Sequence, residues 1–256
     1  MQVRLTTPLT RQELAPLHAG DTVLLTGTVY TARDAAHARM MELLDKGEEL
    51  PFPIEGAAVY YVGPTPERPG QIIGSAGPTT SGRMDAYSPR LLDLGQAIMI
   101  GKGARNQAVK DAVKRNGAVY LAALGGAGAL MAASVKELEV ICWEDLGCEA
   151  VRRLTVRDLP LTVILDAHGG DLYQSGPAAY LESENGKAAL SRVAVGATLL
   201  NLPVEGLKKV IIPLPDLESQ KKIADQYYAK LSEIKELKYK LEKATEELEH
   251  IYTEEK

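Results

Sequence analysis

Thr26-Gly-Thr-Val-Tyr-Thr-Ala-Arg-Asp-Ala-Ala-His37 reads as a strand, a turn and the start of a helix. The residues from Thr22 to Thr28 are β-branched and apolar, whereas Asp34 to Lys46 carries apolar residues at helical spacing after an alanine-rich start. The alternation continues along the chain. Gly56 to Val62 and Gln96 to Ile100 read as strands. Asn106 to Asn116 reads as a helix, with Val109, Ala112 and Val113 on one face and Gly117 just past its end. Val119 to Ala123 is a buried strand, Gly128 to Ala133 opens a short helix, and Leu138 to Trp143 and Leu161 to Leu165 are further strands. This order predicts an α/β domain with a largely buried sheet.

Three cations fall at predicted strand ends, where α/β sheets hold their ligands. Arg33 follows the first strand, and Lys102 follows Ile98-Met-Ile-Gly in Ile98-Met-Ile-Gly-Lys-Gly103. Between them lies Gly74-Ser-Ala-Gly-Pro-Thr-Thr-Ser-Gly-Arg-Met-Asp85. In that loop Gly74, Gly77 and Gly82 permit backbone turns closed to other residues, and Pro78 fixes one φ. Thr79, Thr80 and Ser81 are hydrogen-bond donors, and Arg83 offers a planar fork suited to a carboxylate or phosphate. A small-anion site is the expectation.

These blocks, together with Gly117-Ala-Val-Tyr-Leu-Ala-Ala-Leu-Gly-Gly-Ala-Gly128, Glu149-Ala-Val and Asp166-Ala-His-Gly-Gly-Asp-Leu-Tyr173, resemble the β subunit, or C-terminal domain, of class I iron–sulfur fumarases and L-tartrate dehydratases. The resemblance covers residues 1–182. It implies a swivelling β/β/α domain and an enzyme that adds water to, or removes it from, a C4 dicarboxylate, fumarate/malate ahead of tartrate. It also implies substrate contacts from Arg33, Thr79, Arg83 and Lys102, with Thr80 and Arg83 taking part in catalysis. The partner it implies is an α subunit carrying a 4Fe-4S cluster, without which this chain is inactive. Loss of a proton beside a malate-type carboxylate builds negative charge there, which is what preorganised cations stabilise.

The bulk composition fits such a protein. The chain has 256 residues, 45% hydrophobic and 25% charged, with a net charge of −5. That balance creates no basic field for nucleic acid or an anionic membrane. The first residues lack the apolar core of a signal peptide, and a cytoplasmic protein is expected. The two cysteines, Cys142 and Cys148, match neither a CxxC pair nor a zinc site. A cubane cluster needs at least three thiolates, so this chain is expected to bind no metal or cluster alone.

Other polar residues draw structural readings. His37, near Arg33 on the predicted helix, could be catalytic but is expected to be structural or supporting, and His168 to sit in a turn. Leu124-Gly-Gly-Ala-Gly-Ala-Leu130 is not a dinucleotide fingerprint, because Met131 occupies the third glycine position. It reads instead as close backbone packing at a helix N-terminus.

Beyond Glu182 the sequence changes character. Val210-Ile-Ile-Pro-Leu-Pro-Asp-Leu-Glu-Ser-Gln220 followed by Lys-Lys-Ile-Ala resembles the end of a target-recognition domain in type I restriction specificity subunits, and of some adenine-specific DNA methylases. A short strand and a long coiled-coil-like helix over about 217–252 are expected in a second segment, 183–256. Tyr227, Ile234, Leu241 and Leu248 recur every seven residues, interleaved by Leu237, Ala244 and Ile251. Helix pairing into an oligomer is the expectation. The tail's basic and acidic residues nearly cancel, so DNA binding is not expected. The alternative reading of the whole chain is a non-catalytic restriction–modification accessory, or remnant fusion, acting through that helix.

Overall fold

The computed structural model describes residues 2–123 and 128–176, together with Glu184, Lys187 and Ala188. The chain divides into two units, Met1–Ser183 and Glu184–Lys256, and every strand and helix named below belongs to the first. The heptad helix expected about 217–252, and the strand before it, lie outside the described residues.

Strands β1 (Gln2–Thr6), β2 (Thr22–Thr31), β3 (Ala58–Tyr60), β4 (Ile98–Gly101), β5 (Val119–Ala123), β6 (Val135–Cys142) and β7 (Val151–Leu165) form one sheet. Its order is β1-β2-β3-β4-β5-β7-β6, with β2 also paired to β7. Pairing therefore runs round a ring from β2 through β3, β4, β5 and β7 back to β2. The four pairings that run from β1 to β5 are parallel, whereas β7 runs antiparallel to β2, β5 and β6.

Helices α1 (Arg11–Leu14), α2 (Asp34–Lys46), α3 (Ser88–Asp93), α4 (Gln107–Asn116) and α5 (Gly128–Ser134) complete the domain. Local chemistry sets their ends. The Asn106 side chain accepts from the Val109 N–H at 3.0 Å to open α4, satisfying a donor that the helix leaves unpaired. Gly117 closes α4 and Gly47 closes α2, both left-handed at φ 62° and 72°.

Two cores lie on opposite faces of β3–β5. Ala58, Tyr60, Ile98, Ile100, Val119 and Leu121 join Leu5, Leu25, Leu154 and Leu161 in the first, between the parallel and antiparallel strands. Their neighbours Val59, Tyr61, Met99 and Tyr120 join Met40, Leu91, Val109 and Val113 in the second, beneath α2, α3 and α4. Successive strand residues point to opposite faces, so burial on both sides explains why these strands read as unbroken apolar runs. No helix among the described residues is long and apolar enough to cross a membrane.

Candidate functional site

The chain beyond β3 and β4 brings the predicted loop to one end of the parallel strands. Val62 bridges Pro78, the Thr79 N–H donates to the Tyr61 carbonyl at 2.8 Å, and Thr80 bridges Lys102 in parallel. Residues 78–80 thus form a short extended segment between the ends of β3 and β4, and a 3₁₀ turn, Ser81–Met84, follows. Thr80, Arg83 and Lys102 are exposed and Thr79 is half-buried. Among the described residues, the hydroxyls of Thr79 and Thr80 and the cationic groups of Arg83 and Lys102 have no side-chain partner. The Thr80 hydroxyl and the Arg83 and Lys102 cations are therefore exposed near the C-terminal ends of β3 and β4, uncommitted to the protein. Such a set can receive a carboxylate, with Arg83 binding as a fork and Lys102 as a point charge.

Arg33 lies at the end of β2, with the Ala32 N–H bonded to the Tyr60 carbonyl of β3 at 3.1 Å. Its side chain is committed differently from those of Arg83 and Lys102. One guanidinium nitrogen, Nη2, lies 3.0 Å from Glu149 and 3.6 Å from Asp34. Glu149 also accepts the Ala35 N–H at 3.1 Å, tying the guanidinium to the start of α2. Arg33 Nε is buried with no hydrogen-bond partner. A side chain built on Gly63 would meet the Arg33 guanidinium at 2.9 Å and the Cys148 carbonyl at 3.2 Å, so glycine at 63 lets that cation lie where it does without a shift.

The structure corrects the reading of Ser81 as a donor for a bound anion. Ser81 is buried, and its hydroxyl accepts from the Lys102 N–H at 3.0 Å and from the Tyr120 hydroxyl at 2.9 Å. It belongs to the floor of the site. The glycine readings also change. None of Gly74, Gly77 and Gly82 is left-handed. Gly74 is required for space, since a side chain there would lie 2.2 Å from the Thr65 carbonyl, whereas Gly77 and Gly82 have room for one. At Gly128 a Cβ would lie 2.2 Å from the Ser75 hydroxyl, which agrees with the close packing expected at that helix start.

Sequence reasoning missed the buried polar floor. Arg105, 5% exposed, donates to Asp85 at 2.6 Å and to the Ser88 hydroxyl at 2.7 Å. Its guanidinium carbon lies 5.4 Å and 5.1 Å from the ring centres of Tyr61 and Tyr120, within cation–π range. Asp85 also accepts the Asn106 N–H at 2.7 Å. The available signal was the Arg105-Asn106 pair just after the strand-end lysine, which a sequence offers no reason to bury.

His37 and His168 take the structural places expected of them. His37 is fully buried, its Nδ1 2.8 Å from the Arg33 carbonyl, with Tyr61 edge-on and Tyr87 stacked. Burial pushes its pKa down to about 4, so it is neutral near pH 7. His168 sits in a turn organised by Asp166, whose carboxylate accepts the backbone N–H groups of Ala19, His168 and Gly170 at 2.7–2.9 Å. Burial alone would raise the Asp166 pKa, but these bonds and the nearby His168 hold it below the ordinary carboxylate value. Cys142 is half-buried and Cys148 exposed. No cluster of three or more His, Cys, Asp or Glu side chains suited to a metal occurs among the described residues.

Comparison with known proteins assigns the scaffold. Residues 1–176 match the family described as Fumarase C-terminus. The class I aerobic fumarate hydratase of Salmonella typhimurium is 40% identical over 185 residues, which cover 72% of this chain and 31% of that protein. The class I anaerobic fumarate hydratase of Escherichia coli is 43% identical over 152 residues, covering 59% and 28%. The L(+)-tartrate dehydratase subunit beta of E. coli is 30% identical over 187 residues, covering 71% of this chain and 92% of that subunit. The chain thus spans about a third of the length of the fumarate hydratases it matches. With its strand-end cations set on a scaffold shared along almost the whole tartrate dehydratase subunit, the chain belongs to the fumarase C-terminus family.

Proposed function

We propose that this chain is the β subunit of an iron–sulfur hydro-lyase that reversibly hydrates a C4 diacid, with fumarate/malate as first substrate and tartrate second. The observation that carries the reading is the bridge between Thr80 and Lys102, which sets the Thr79–Arg83 segment beside the strand-end lysine. The layering of parallel strands between helices and antiparallel strands supports a swivelling β/β/α domain. The names of the relatives, fumarate hydratase and tartrate dehydratase subunit beta, support the reaction class.

In this reading Arg83 and Lys102 bind the carboxylate beside the carbon that loses its proton. As that carboxylate gains aci character, its extra negative charge falls on groups already in place, and loss of one such donor costs roughly 3–4 kcal/mol of transition-state stabilisation. Thr79 hydrogen-bonds the substrate, and the Thr80 hydroxyl assists proton transfer together with an acid from the α subunit, since a free hydroxyl is a poor base alone. Arg33, steadied by Glu149, takes a second substrate carboxylate through the part of its guanidinium that Glu149 leaves open. Two cysteines cannot ligate a cubane, and the residues here do not fit the cluster. It is assigned to the α subunit.

The tail from residue 183 is proposed to associate with like helices and to stand apart from catalysis. The test of the function is reconstitution. Purified chain should be inactive, and should gain hydratase activity when combined anaerobically with a matching α subunit. A stable complex without hydratase or dehydratase activity toward malate, fumarate or tartrate would overturn the enzyme reading.

A further inference from the structure

Ser81 and Lys102 are joined by two reciprocal hydrogen bonds. The Ser81 N–H donates to the Lys102 carbonyl at 2.8 Å, and the Lys102 N–H donates to the Ser81 hydroxyl at 3.0 Å. That hydroxyl also accepts from Tyr120, whose O–H lies 2.9 Å from both Ser81 Oγ and the Gly103 carbonyl. All three groups sit on different elements: Ser81 opens the 3₁₀ turn, Lys102 follows β4, and Tyr120 lies in β5. The fit is close, because a Cβ on Gly101 would lie 2.0 Å from Ser81 Oγ and 3.0 Å from the Tyr61 ring.

A second tie joins the same two loops. Asp85, which ends the 3₁₀ turn, accepts from the Arg105 side chain and from the Asn106 N–H. The segment bearing Thr80 and Arg83 is therefore held to the segment bearing Lys102 at both ends, through Ser81 at one and Asp85 at the other. The Tyr120–Ser81 bond is buried and the Ser81–Lys102 and Asp85–Arg105 bonds are partly buried, where water competes less and each bond is worth more than at the surface, whereas the Asp85–Asn106 bond is exposed.

We propose that Ser81, oriented by the Tyr120 hydroxyl, is a positioning residue for the hydro-lyase site: it acts through Lys102, fixing that cation beside Thr80 and Arg83. The ligand in this statement rests on the hydro-lyase reading, while the geometry does not. Neither Ser81 nor Tyr120 reaches the exposed face of the site, so their contribution passes through the strand end they hold.

The experiment has two arms, using Tyr120→Phe and Ser81→Ala. In the first, amide hydrogen exchange is measured on the full chain without partner or ligand. Lys102 should exchange about tenfold faster in both variants, as loss of one buried hydrogen bond permits, while the β4 amides stay as in wild type. Unchanged exchange at Lys102 overturns the proposal. The second arm is a double-mutant cycle with Lys102→Met in the reconstituted complex, read as kcat and KM toward malate. If Ser81 works through Lys102, Ser81→Ala should lower kcat about tenfold in the wild-type background, and add little once Lys102 is Met. KM should move less than kcat. Additive losses in the two backgrounds would make Ser81 a general structural residue and also overturn the proposal. A wild-type complex with no turnover contradicts the hydro-lyase reading instead, and the exchange arm then decides the geometry alone.

Discussion

Arg105 Nε donates to Asp85 Oδ1 at 2.6 Å, beneath the loop that carries Arg83. The guanidinium side chain is wholly buried and the carboxylate nearly so. Breaking a buried pair by removing one partner costs about 3–5 kcal/mol, because the other charge is left uncompensated. Arg105→Met should therefore destabilise the domain by that order in urea unfolding. Arg105→Lys should fall between, since an ammonium keeps the charge but lacks the fork that reaches both Asp85 and Ser88.

Arg83 gives the opposite expectation. Its side chain is exposed and unpaired among the described residues, so Arg83→Ala should leave the unfolding midpoint unchanged. In the reconstituted complex it should depress turnover by about 10²- to 10³-fold, the usual effect of losing one preorganised donor. Thr80→Val should lower kcat more than it weakens substrate binding, if the hydroxyl acts in the transition state. Steady-state kinetics on both variants would contradict the placement of the site if each matched wild type.

The strand-end glycines separate on steric grounds. Gly101→Ala forces a methyl against Ser81 Oγ at 2.0 Å and Tyr61 at 3.0 Å, with neither neighbour free to retreat. A cost of about 1–3 kcal/mol is expected, as for other overpacking substitutions. Gly77→Ala meets its nearest neighbour, Gly128, at 3.7 Å and should be nearly neutral. Thermal unfolding of the two variants checks the contrast.

A pH dependence follows from His37. Its pKa falls from an ordinary value near 6.5 to about 4 on folding, chiefly because burial disfavours the charged ring. Above pH 6.5 both folded and unfolded forms are neutral and the group contributes nothing. Between about 6.5 and 4 the unfolded chain takes up a proton that the folded chain does not, so stability declines as pH falls, by roughly 3 kcal/mol across the window. Asp166 loses its contribution in a lower range, as pH falls through its depressed pKa. Denaturant unfolding between pH 7 and 4 should show the His37 slope, and His37→Gln should flatten it.

Much of the parallel half of the fold was legible because its strands are buried on both faces and its helices carry capping residues. Asp34 to Lys46 is a helix over those residues, and Asn106 and Gly117 cap α4 as their chemistry suggests. The antiparallel half was less so. Leu161 to Leu165 is only the end of β7, which starts at Val151. Its earlier part alternates imperfectly because Arg157 and Asp158 form a bulge against β2, with Asp158 at φ 51°. Strand β1 is short and mostly exposed, and its assignment depends on pairing with β2.

Within the site, residue type and strand-end position pointed to an anion site with Arg33, Arg83 and Lys102 as its cations, and the family resemblance gave Thr79 and Thr80 their expected roles. Residue type and position could not distinguish Ser81 from its neighbouring threonines. That distinction depends on Tyr120, 39 residues away in the chain, and only the folded sheet brings the two together. The Arg33–Glu149 pair is similarly non-local, joining the end of β2 to the turn before β7.

The tail makes its own prediction. In the proposed pairing, a heptad seam would bury leucine and isoleucine side chains between helices, each contributing roughly 1.5–3 kcal/mol when fully sequestered. Truncation after Glu182 should keep reconstituted activity and lower the oligomeric mass, and Ile234→Lys with Leu241→Lys should do the same. Light scattering decides it, and an unchanged mass would contradict association through the tail.

The central claim, that this chain supplies the cationic half of a hydro-lyase site, is tested most directly by anaerobic titration of the purified chain with a matching α subunit while fumarate hydration is followed. The account predicts no turnover from the chain alone, and activity that rises with α subunit to a stoichiometric plateau and falls at least 10²-fold with Arg83→Ala. A stoichiometric complex that stays inactive toward fumarate, malate and tartrate, or one whose activity is indifferent to Arg83 and Lys102, would contradict it.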